Sequence, residues 1–308
     1  MTEIALSSAK IERFIVDGFV RIDEAFPRDL ASTCRTILWR GTGCREDDPS
    51  TWTQPVVRLG MIPNPHFREA ANTPTLHAAF DALVGRGRWQ PCGALGTFPI
   101  RFPSDEDPGD DGWHVDASFG FEDEPDFLNR SSADLASRPT GRRAASGASE
   151  GSWEGAPRGF MPRGGGSGDR PSEKLKWRLN VTSRGRALLM LFLFSDVGDD
   201  DAPTRLRVGS HRDVARRLAP HGDAGLSVGD FAVTGHAESA HCAEARAVGP
   251  AGTVYLCHPF LVHAGQRHRG RNPRFLAQPP LLPTSPLDPM RPREEASPVE
   301  SAIRRALT

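Results

Sequence analysis

The chain has 308 residues, with 25% charged residues and a formal net charge of -1. A chain of this length can bury a full hydrophobic core in one large domain, and we predict a single domain over residues 1–308. The near-neutral charge and the lack of a Lys/Arg run exclude the basic surface that attracts nucleic acid. We therefore predict a small molecule as the partner.

The cysteines and the hydropathy pattern indicate where in the cell the protein is located. The five cysteines are odd in number and include no C-x-x-C pair, which is typical of a protein in a reducing environment. The N-terminus lacks a basic segment followed by an apolar run, and no apolar stretch is long enough to span a bilayer. These features predict a cytoplasmic protein without a membrane partner. They say nothing about the oligomeric state.

The N-terminal third predicts helices that cover a larger core. Apolar residues recur there at helical spacing in three segments, each opened by an N-cap residue or a proline and closed by glycine. The helices are predicted to begin after Ser7 or Ser8, Pro27 and Thr73, and to end at Gly18, at residues 41–43 and near residues 85–87. A short strand is predicted at 19–22, directly after the first helix.

The pattern then changes to the alternation of strands. Residues 94–102 predict a strand, and an acidic loop at 104–111 leads to a second strand at 113–115. The loop is acidic enough for a calcium site, but its order of residues differs from that of an EF-hand loop. Because Pro108 and Gly109 favour a turn, we interpret the loop as a solvated turn.

Residues 129–174 differ in composition from the rest of the chain. They are rich in Gly, Ser, Arg, Ala and Pro and hold few apolar residues, so they cannot bury enough surface to offset the entropy of ordering. We predict a flexible insertion here. Its position after the 113–115 segment leaves two alternatives open, a disordered loop and a lid over a site.

The remainder of the chain predicts many short strands. Residues 188–194 form a continuous apolar run, typical of a strand that is buried on both faces. Further strands are predicted at 177–182, 205–208, 252–257 and 274–277, with a helix between residue 209 and Pro220. Helices followed by strands predict an α+β fold, with a double-stranded β-helix (jelly roll) core flanked by the N-terminal helices.

Two distant segments carry residues that bind metals. In an extended segment, His114 and Asp116 point to the same side, because side chains alternate along a strand. A third ligand from His263 would complete a set of two histidines and one carboxylate. Such a facial triad leaves coordination positions open and is diagnostic of non-haem Fe(II) oxygenases.

Several motifs, in order, resemble the phytanoyl-CoA dioxygenase family of Fe(II)- and 2-oxoglutarate-dependent oxygenases. The resemblance covers most of the chain and rests on the motifs together, since each alone is weak. They are the opening segment from Phe14 to Val20, the pair His114-x-Asp116, the strand from Leu191 to Val197, the turn Val208-Gly209-Ser210-His211, and His263 followed eleven positions later by Arg274.

The resemblance implies that His114, Asp116 and His263 bind Fe(II), and that Arg274 holds the distal carboxylate of 2-oxoglutarate. A guanidinium suits this role because it binds a carboxylate through two hydrogen bonds. Arg271 is the competing residue, but the spacing and the following apolar strand favour Arg274. His211, His258 and His268 are not expected to be ligands, and His211 is expected to cap or pack the turn.

The chain departs from the family pattern at two positions in these motifs. Gly265 stands where many relatives carry a hydroxyl that assists the arginine, which leaves the second contact of the cosubstrate unassigned. Val208 replaces the usual proline of the turn, a change from which we expect little effect. The long insertion is a further departure and leaves the substrate side of the site undefined.

The implied activity is hydroxylation of a C–H bond of a small molecule with Fe(II), 2-oxoglutarate and O2, which yields succinate and CO2. Related halogenases carry Gly or Ala at the carboxylate position, so Asp116 favours oxidation over chlorination. The same cofactors also support desaturation, epimerisation or ring closure. Two further alternatives are a non-catalytic, cupin-like metal-binding jelly roll and a zinc hydrolase that uses the same three ligands.

Overall fold

The computed structural model describes residues 6–120 and 177–308 of the chain. The predicted insertion at 129–174 lies outside these residues. The described part contains seven α-helices, with short 3-10 turns between them. The helices are α1 Ser8–Asp17, α2 Arg28–Thr42, α3 Pro65–Ala71, α4 Pro74–Val84, α5 His211–Leu218, α6 Val228–Thr234 and α7 Pro298–Leu307.

The three predicted N-terminal helices are confirmed, and their ends follow from the capping residues. The Ser7 side chain accepts a hydrogen bond from a backbone amide at the start of α1, and Gly18 ends the helix with a φ of 86°. Gly43 ends α2 in the same left-handed conformation. At α4, the Thr73 side chain caps the first turn and the helix ends at Gly85. The local signals were sufficient to locate these helices.

All the strand pairs of the described residues are antiparallel, so the fold is a mixed one of helices and antiparallel sheets. The strands are β1 Phe19–Ile22, β2 Val56–Leu59, β3 Phe98–Arg101, β4 Phe119–Gly120, β5 Trp177–Leu179, β6 Leu188–Leu193, β7 Arg205–Arg207, β8 Leu226–Ser227, β9 Glu244–Arg246, β10 Val254–Cys257, β11 His263–Ala264, β12 Leu276–Ala277 and β13 Pro280–Leu281. A five-stranded sheet has the order β1-β10-β6-β12, with β13 also on β6, and a three-stranded sheet has the order β11-β7-β9.

Strand β6 is buried on both faces, as its continuous apolar sequence predicts. Its even-numbered residues belong to a large core that also includes side chains of α1, α2, α4 and α7. Its odd-numbered residues, from Leu189 to Leu193, form a second core with Leu206 of β7 and Leu276 of β12. The second core therefore lies between the five-stranded and the three-stranded sheet, and we call this space the sheet interior.

Several predictions of local structure need correction. Residues 113–115 do not form a strand of a sheet, because their pairing is limited to a single bridge between His114 and His263. The strand predicted at 94–102 is limited to Phe98–Arg101. Helices α3, α6 and α7 were not predicted. Helix α7 packs against α1, α4 and α5, so C-terminal as well as N-terminal helices cover the sheet.

Glu300 fixes α7 to the rest of the fold. Its side chain is 2% exposed. It accepts hydrogen bonds from the Ser297 backbone at 2.9 Å and the Asp288 backbone at 2.9 Å, and its carboxylate lies 3.3 Å from Arg88 and 3.2 Å from Arg291. Burial raises the pKa of Glu300, but the hydrogen bonds and Arg291 outweigh this effect and lower the pKa below its ordinary value of 4.5.

We expect Glu300→Ala to lower the free energy of unfolding by about 1–3 kcal/mol, because it leaves the backbone donors of Ser297 and Asp288 without their acceptor. Since the folded-state pKa is depressed, the stabilisation is present above the ordinary carboxyl pKa and is lost as pH falls through the folded value. Urea unfolding of the wild type and of Glu300→Ala at pH 7 and at pH 4 measures both effects. A difference between the two proteins that does not shrink at the lower pH would contradict this account.

Within residues 6–120 and 177–308, no helix has both the length and the apolar character needed to cross a bilayer.

Candidate metal centre

The backbone joins His114 directly to His263. Each residue donates its amide to the carbonyl of the other, at 2.9 Å in both directions. The two residues of such a directly opposed pair carry their side chains on the same face. The ring centroids of the two imidazoles are accordingly 4.3 Å apart. This bridge brings together two sequence segments that lie far apart in the chain.

The three predicted metal ligands meet at one point. One nitrogen of His114, one of His263 and a carboxylate oxygen of Asp116 all lie within 4.8 Å of one another. Nδ1 of His114 is 2.9 Å from the carbonyl of Gly112, and Nδ1 of His263 is 3.0 Å from the carbonyl of Leu261. Because each Nδ1 lies at a carbonyl oxygen, the ring proton is expected on Nδ1, and Nε2 then carries the lone pair that a metal would need.

The side chain of His263 faces the sheet interior. The residue is paired with Leu206 of β7, whose side chain belongs to the second core, and the His263 side chain is 1% exposed. Burial, assisted by the neighbouring His114, lowers the pKa of His263 to about 4. The ring is therefore neutral near pH 7, and a metal ion need not displace a proton from it.

Arg186 holds the carboxylate of Asp116. Nη1 of Arg186 is 3.2 Å from one carboxylate oxygen, and the guanidinium is 4% exposed. Burial raises the pKa of Asp116, but Arg186 and the two imidazoles outweigh burial, and the pKa lies below its ordinary value. The carboxylate is thus ionised, as a metal ligand must be. No local pattern in the sequence signals this arginine.

Gln278 is a second residue that the sequence analysis missed. Its side-chain nitrogen lies 2.9 Å from Nε2 of His263, and the side chain also helps to lower the pKa of Asp116. Gln278 follows Leu276 by two positions, so it carries its side chain into the same sheet interior. The amide therefore stands at the edge of the ligand cluster, where it can orient the ligands or a molecule bound next to them.

Trp113, the residue before His114, is held in place by stacking against two arginines. The ring of Trp113 lies under two guanidinium groups, with Arg205 at 4.5 Å and Arg207 at 4.2 Å from its centroid. The backbone carbonyl of Asp111 also accepts a hydrogen bond from Arg205, at 3.1 Å. These contacts hold the backbone on both sides of Gly112 although residues 113–115 belong to no sheet.

Arg274 is fully buried, at 1% exposure, whereas Arg271 is exposed. Arg274 lies on the same side of its strand as Leu276 and Gln278, which places its side chain in the sheet interior beyond Leu276. The guanidinium donates to the backbone carbonyl of Ala202 and, at 3.2 Å, to that of Pro99, and its Nε has no partner among the described residues. A buried arginine is thus present where the sequence predicts one.

The remaining histidines of interest bind backbone carbonyls away from the cluster. His211 binds the carbonyl of Ile15, His258 that of Val299 and His268 that of Asn272. Among the described residues one other group could hold a metal, formed by Asp213, His241 and Cys242. The His241 side chain is 71% exposed, so this surface group lacks the buried character of the His114 cluster.

A large polar cavity lies on the opposite face of the three-stranded sheet. Its volume is about 550 Å³ and its lining includes Arg205, Arg246 and Gln266. Arg205 is paired with Arg246 in the sheet, and side chains alternate along β7, so both point away from the face that carries Leu206 and His263. The cavity is therefore not the space into which the three ligands point.

The donor set fits iron. Two imidazole nitrogens and one carboxylate oxygen are the ligands of the facial triad, which leaves positions open for a cosubstrate and O2. The support of each ligand by a carbonyl or a guanidinium is also typical of metal sites.

Comparisons with known proteins give structural neighbours only. No family model matches the chain, and no curated protein matches its sequence. Membership of the phytanoyl-CoA dioxygenase family therefore stays a prediction. HygX from Streptomyces hygroscopicus, with nickel and 2-oxoglutarate bound, is similar at 17% identity and a TM-score of 0.47, over 89% of this chain and 86% of HygX.

Two other similar structures are those of SnoN and EctD. SnoN, a non-heme α-ketoglutarate-dependent epimerase from nogalamycin biosynthesis, is 16% identical with a TM-score of 0.48, over 88% of this chain and 80% of SnoN. EctD from S. alaskensis, with 2-oxoglutarate and 5-hydroxyectoine, is 16% identical with a TM-score of 0.48, over 90% of this chain and 77% of EctD. HygX is also known with iron bound. Iron or nickel and 2-oxoglutarate are thus ligands of these neighbours.

Proposed function

We propose that this protein is an Fe(II)- and 2-oxoglutarate-dependent dioxygenase that hydroxylates a C–H bond of a small molecule. The observation that carries the proposal is the convergence of His114, Asp116 and His263, whose ligand atoms all lie within 4.8 Å of one another. We also propose that the two facing sheets form the double-stranded β-helix, or jelly roll, of this enzyme class. Its interior would then be the space between the sheets.

In this proposal each residue has a defined task. His114 and His263 bind Fe(II) through Nε2, Asp116 binds it through one carboxylate oxygen, and Arg274 receives the distal carboxylate of 2-oxoglutarate. The bound iron, with 2-oxoglutarate and O2, supplies the oxidising power that hydroxylates the substrate and converts the cosubstrate to succinate and CO2. The protein supplies the geometry and the exclusion of water.

The residues around the ligands support this division of work. Arg186 keeps Asp116 ionised and fixes its orientation, and its 3.2 Å contact leaves the other carboxylate oxygen for the metal. Leucines 189, 191, 193, 206 and 276 line the sheet interior and are at most 1% exposed. A dry wall of this kind strengthens the ion pair between a guanidinium and a carboxylate.

The carboxylate at Asp116 favours oxygenation over halogenation, because it fills the position that a halide would need. Hydroxylation, epimerisation and desaturation use the same cofactors and differ in the substrate that is bound. The non-catalytic, cupin-like alternative has no use for a buried arginine at position 274.

Turnover of 2-oxoglutarate tests the proposed function. We expect slow formation of succinate, without added substrate, by the Fe(II)-loaded protein in the presence of O2 and ascorbate. The Zn(II)-loaded protein and Asp116→Ala should form none, since zinc has no redox chemistry and the variant lacks a ligand. Succinate formation equal to that of the metal-free protein would remove the basis of the proposal.

A further inference from the structure

A second buried arginine lies beside Arg274. Arg101, the last residue of β3, is 3% exposed, and its Nε and Nη1 have no hydrogen-bond partner among the described residues. Its Nη2 binds the carboxylate of Asp110 at 2.6 Å. A buried guanidinium with two unused donors is costly, because buried polar groups are normally hydrogen-bonded. The unused donors indicate that a ligand completes their bonding.

The chain makes room for this guanidinium at Gly265. A Cβ added at Gly265 would lie 2.2 Å from Nη2 of Arg101, which is closer than any side chain tolerates. Gly265 has an ordinary backbone conformation, so the glycine is needed for space and not for a turn. Gly265 is the position at which many relatives of the predicted family carry a hydroxyl. In this chain the side chain of Arg101 occupies that space.

The strand register places Arg101 at a defined distance from the metal ligands. Arg101 and Arg274 exchange backbone hydrogen bonds, at 3.1 and 2.8 Å, and Gln278 donates to Thr97 further along the same two segments. Gln278 touches His263, whereas Arg101 touches Gly265, two residues beyond His263. One step of two residues along an extended chain is about 6.8 Å. This offset separates the metal end of the site from its arginine end.

The charges at the arginine end are unbalanced. Arg58, Arg101 and Arg274 lie near one another, and Asp110 is the carboxylate in contact, bound to Arg58 and Arg101. Asp111 acts on Arg101 from farther away, and Arg274 has no ion pair among the described residues. Buried charges of one sign call for a counter-ion. An anion that enters the sheet interior would supply it.

We infer that Arg101 and Arg274 together bind the distal carboxylate of the cosubstrate, so that this site holds the dicarboxylate between two guanidinium groups. The inference rests on the proposed function, since 2-oxoglutarate is the anion in question. Arg101 would donate from Nε and Nη1, while Asp110 keeps Nη2 in place. The second contact of the cosubstrate, which the sequence leaves unassigned, is then Arg101.

Anaerobic calorimetric titration of the Fe(II)-loaded protein tests this role with two ligands. 2-Oxoglutarate carries the distal carboxylate, and 2-oxopentanoate has the same chain length without it. For Arg101→Gln we expect the Kd of 2-oxoglutarate to rise about 10- to 100-fold, as for the loss of hydrogen bonds to a charged group. The Kd of 2-oxopentanoate should stay within about twofold, because that ligand never used Arg101.

Three further variants separate binding from folding. Gly265→Ala keeps every charge but displaces Arg101, and it should also weaken 2-oxoglutarate alone. Arg271→Gln removes an exposed arginine outside this cluster and should leave the Kd of both ligands unchanged. Arg101→Lys restores the charge and should recover part of the affinity.

The outcomes distinguish the two proposals. If the wild type binds Fe(II) but neither ligand, the proposed function fails. If the wild type binds 2-oxoglutarate and Arg101→Gln and Gly265→Ala bind it equally well, Arg101 is only a structural partner of Asp110 and this inference is overturned. Equal weakening of both ligands by Arg101→Gln would also overturn it, because the effect would then not depend on the distal carboxylate.

Discussion

Replacement of His263 by alanine is expected to weaken Fe(II) binding more than about 100-fold, a larger loss than that for removal of a supporting residue. His263 supplies a buried, neutral Nε2, and its pKa of about 4 keeps the lone pair available down to mildly acidic pH. The remaining pair, His114 and Asp116, offers two ligands in place of three. Anaerobic Fe(II) titration of the purified variant measures the effect.

The matched control is His241→Ala, which alters the surface group of Asp213, His241 and Cys242. This variant should bind Fe(II) like the wild type. A thermal melt of the metal-free proteins shows whether His263→Ala still folds, and Asp116→Ala provides a second ligand variant that does not enlarge a core cavity. Loss of iron in His241→Ala, with full binding in His263→Ala, would move the metal site to the surface group.

Replacement of Arg274 by alanine is expected to raise the Kd of 2-oxoglutarate about 100-fold without loss of iron, because a buried carboxylate would lose a charged donor. The variant should also be less stable, since the carbonyls of Ala202 and Pro99 lose their donor. Arg274→Lys should recover only part of the affinity, because an ammonium cannot make the paired hydrogen bonds of a guanidinium. Calorimetric titration with and without iron separates the two effects.

Arg271→Ala is the control for this prediction. It removes the neighbouring arginine of the sequence, which is exposed, and should leave the Kd of 2-oxoglutarate unchanged. If Arg271→Ala weakened binding and Arg274→Ala did not, the cosubstrate would bind outside the sheet interior. The spacing argument that selected Arg274 would then be wrong.

The parts of the fold that were predicted correctly depend on local signals. The caps at Ser7 and Thr73 and the glycines at 18, 43 and 85 set the ends of α1, α2 and α4. The unbroken apolar run of β6 indicated a strand buried on both faces. Burial and capping act over a few residues, so a single sequence records them.

The three proposed metal ligands could be selected from the sequence for a different reason. Two of them stand two positions apart, and the third is followed at a set distance by an arginine, so that their order and spacing carry the information. Their meeting within 4.8 Å depends on the bridge between His114 and His263, for which the sequence has no signal of its own. The strand predicted at 113–115 was wrong because Trp113 is held by stacked arginines and not by a sheet.

The supporting residues could not be predicted from the sequence. Arg186 lies 70 positions from Asp116, and Gln278 lies 15 positions from His263. Neither pair has a periodic pattern, since their contacts arise only when the two sheets face each other. Arg101 and Gly265 are a similar case, because the space at a glycine has meaning only once the side chain that fills it is known.

Anaerobic titration of the Fe(II)-loaded protein with 2-oxoglutarate, followed by visible absorption, tests the central claim most directly. Chelation of iron by the keto acid gives a weak metal-to-ligand charge-transfer band, which we predict for the wild type and, at much lower amplitude at equal ligand concentration, for Arg274→Ala. Iron bound to the protein with no such band at saturating 2-oxoglutarate would contradict the oxygenase proposal, and the protein would then be a metal-binding protein of another kind.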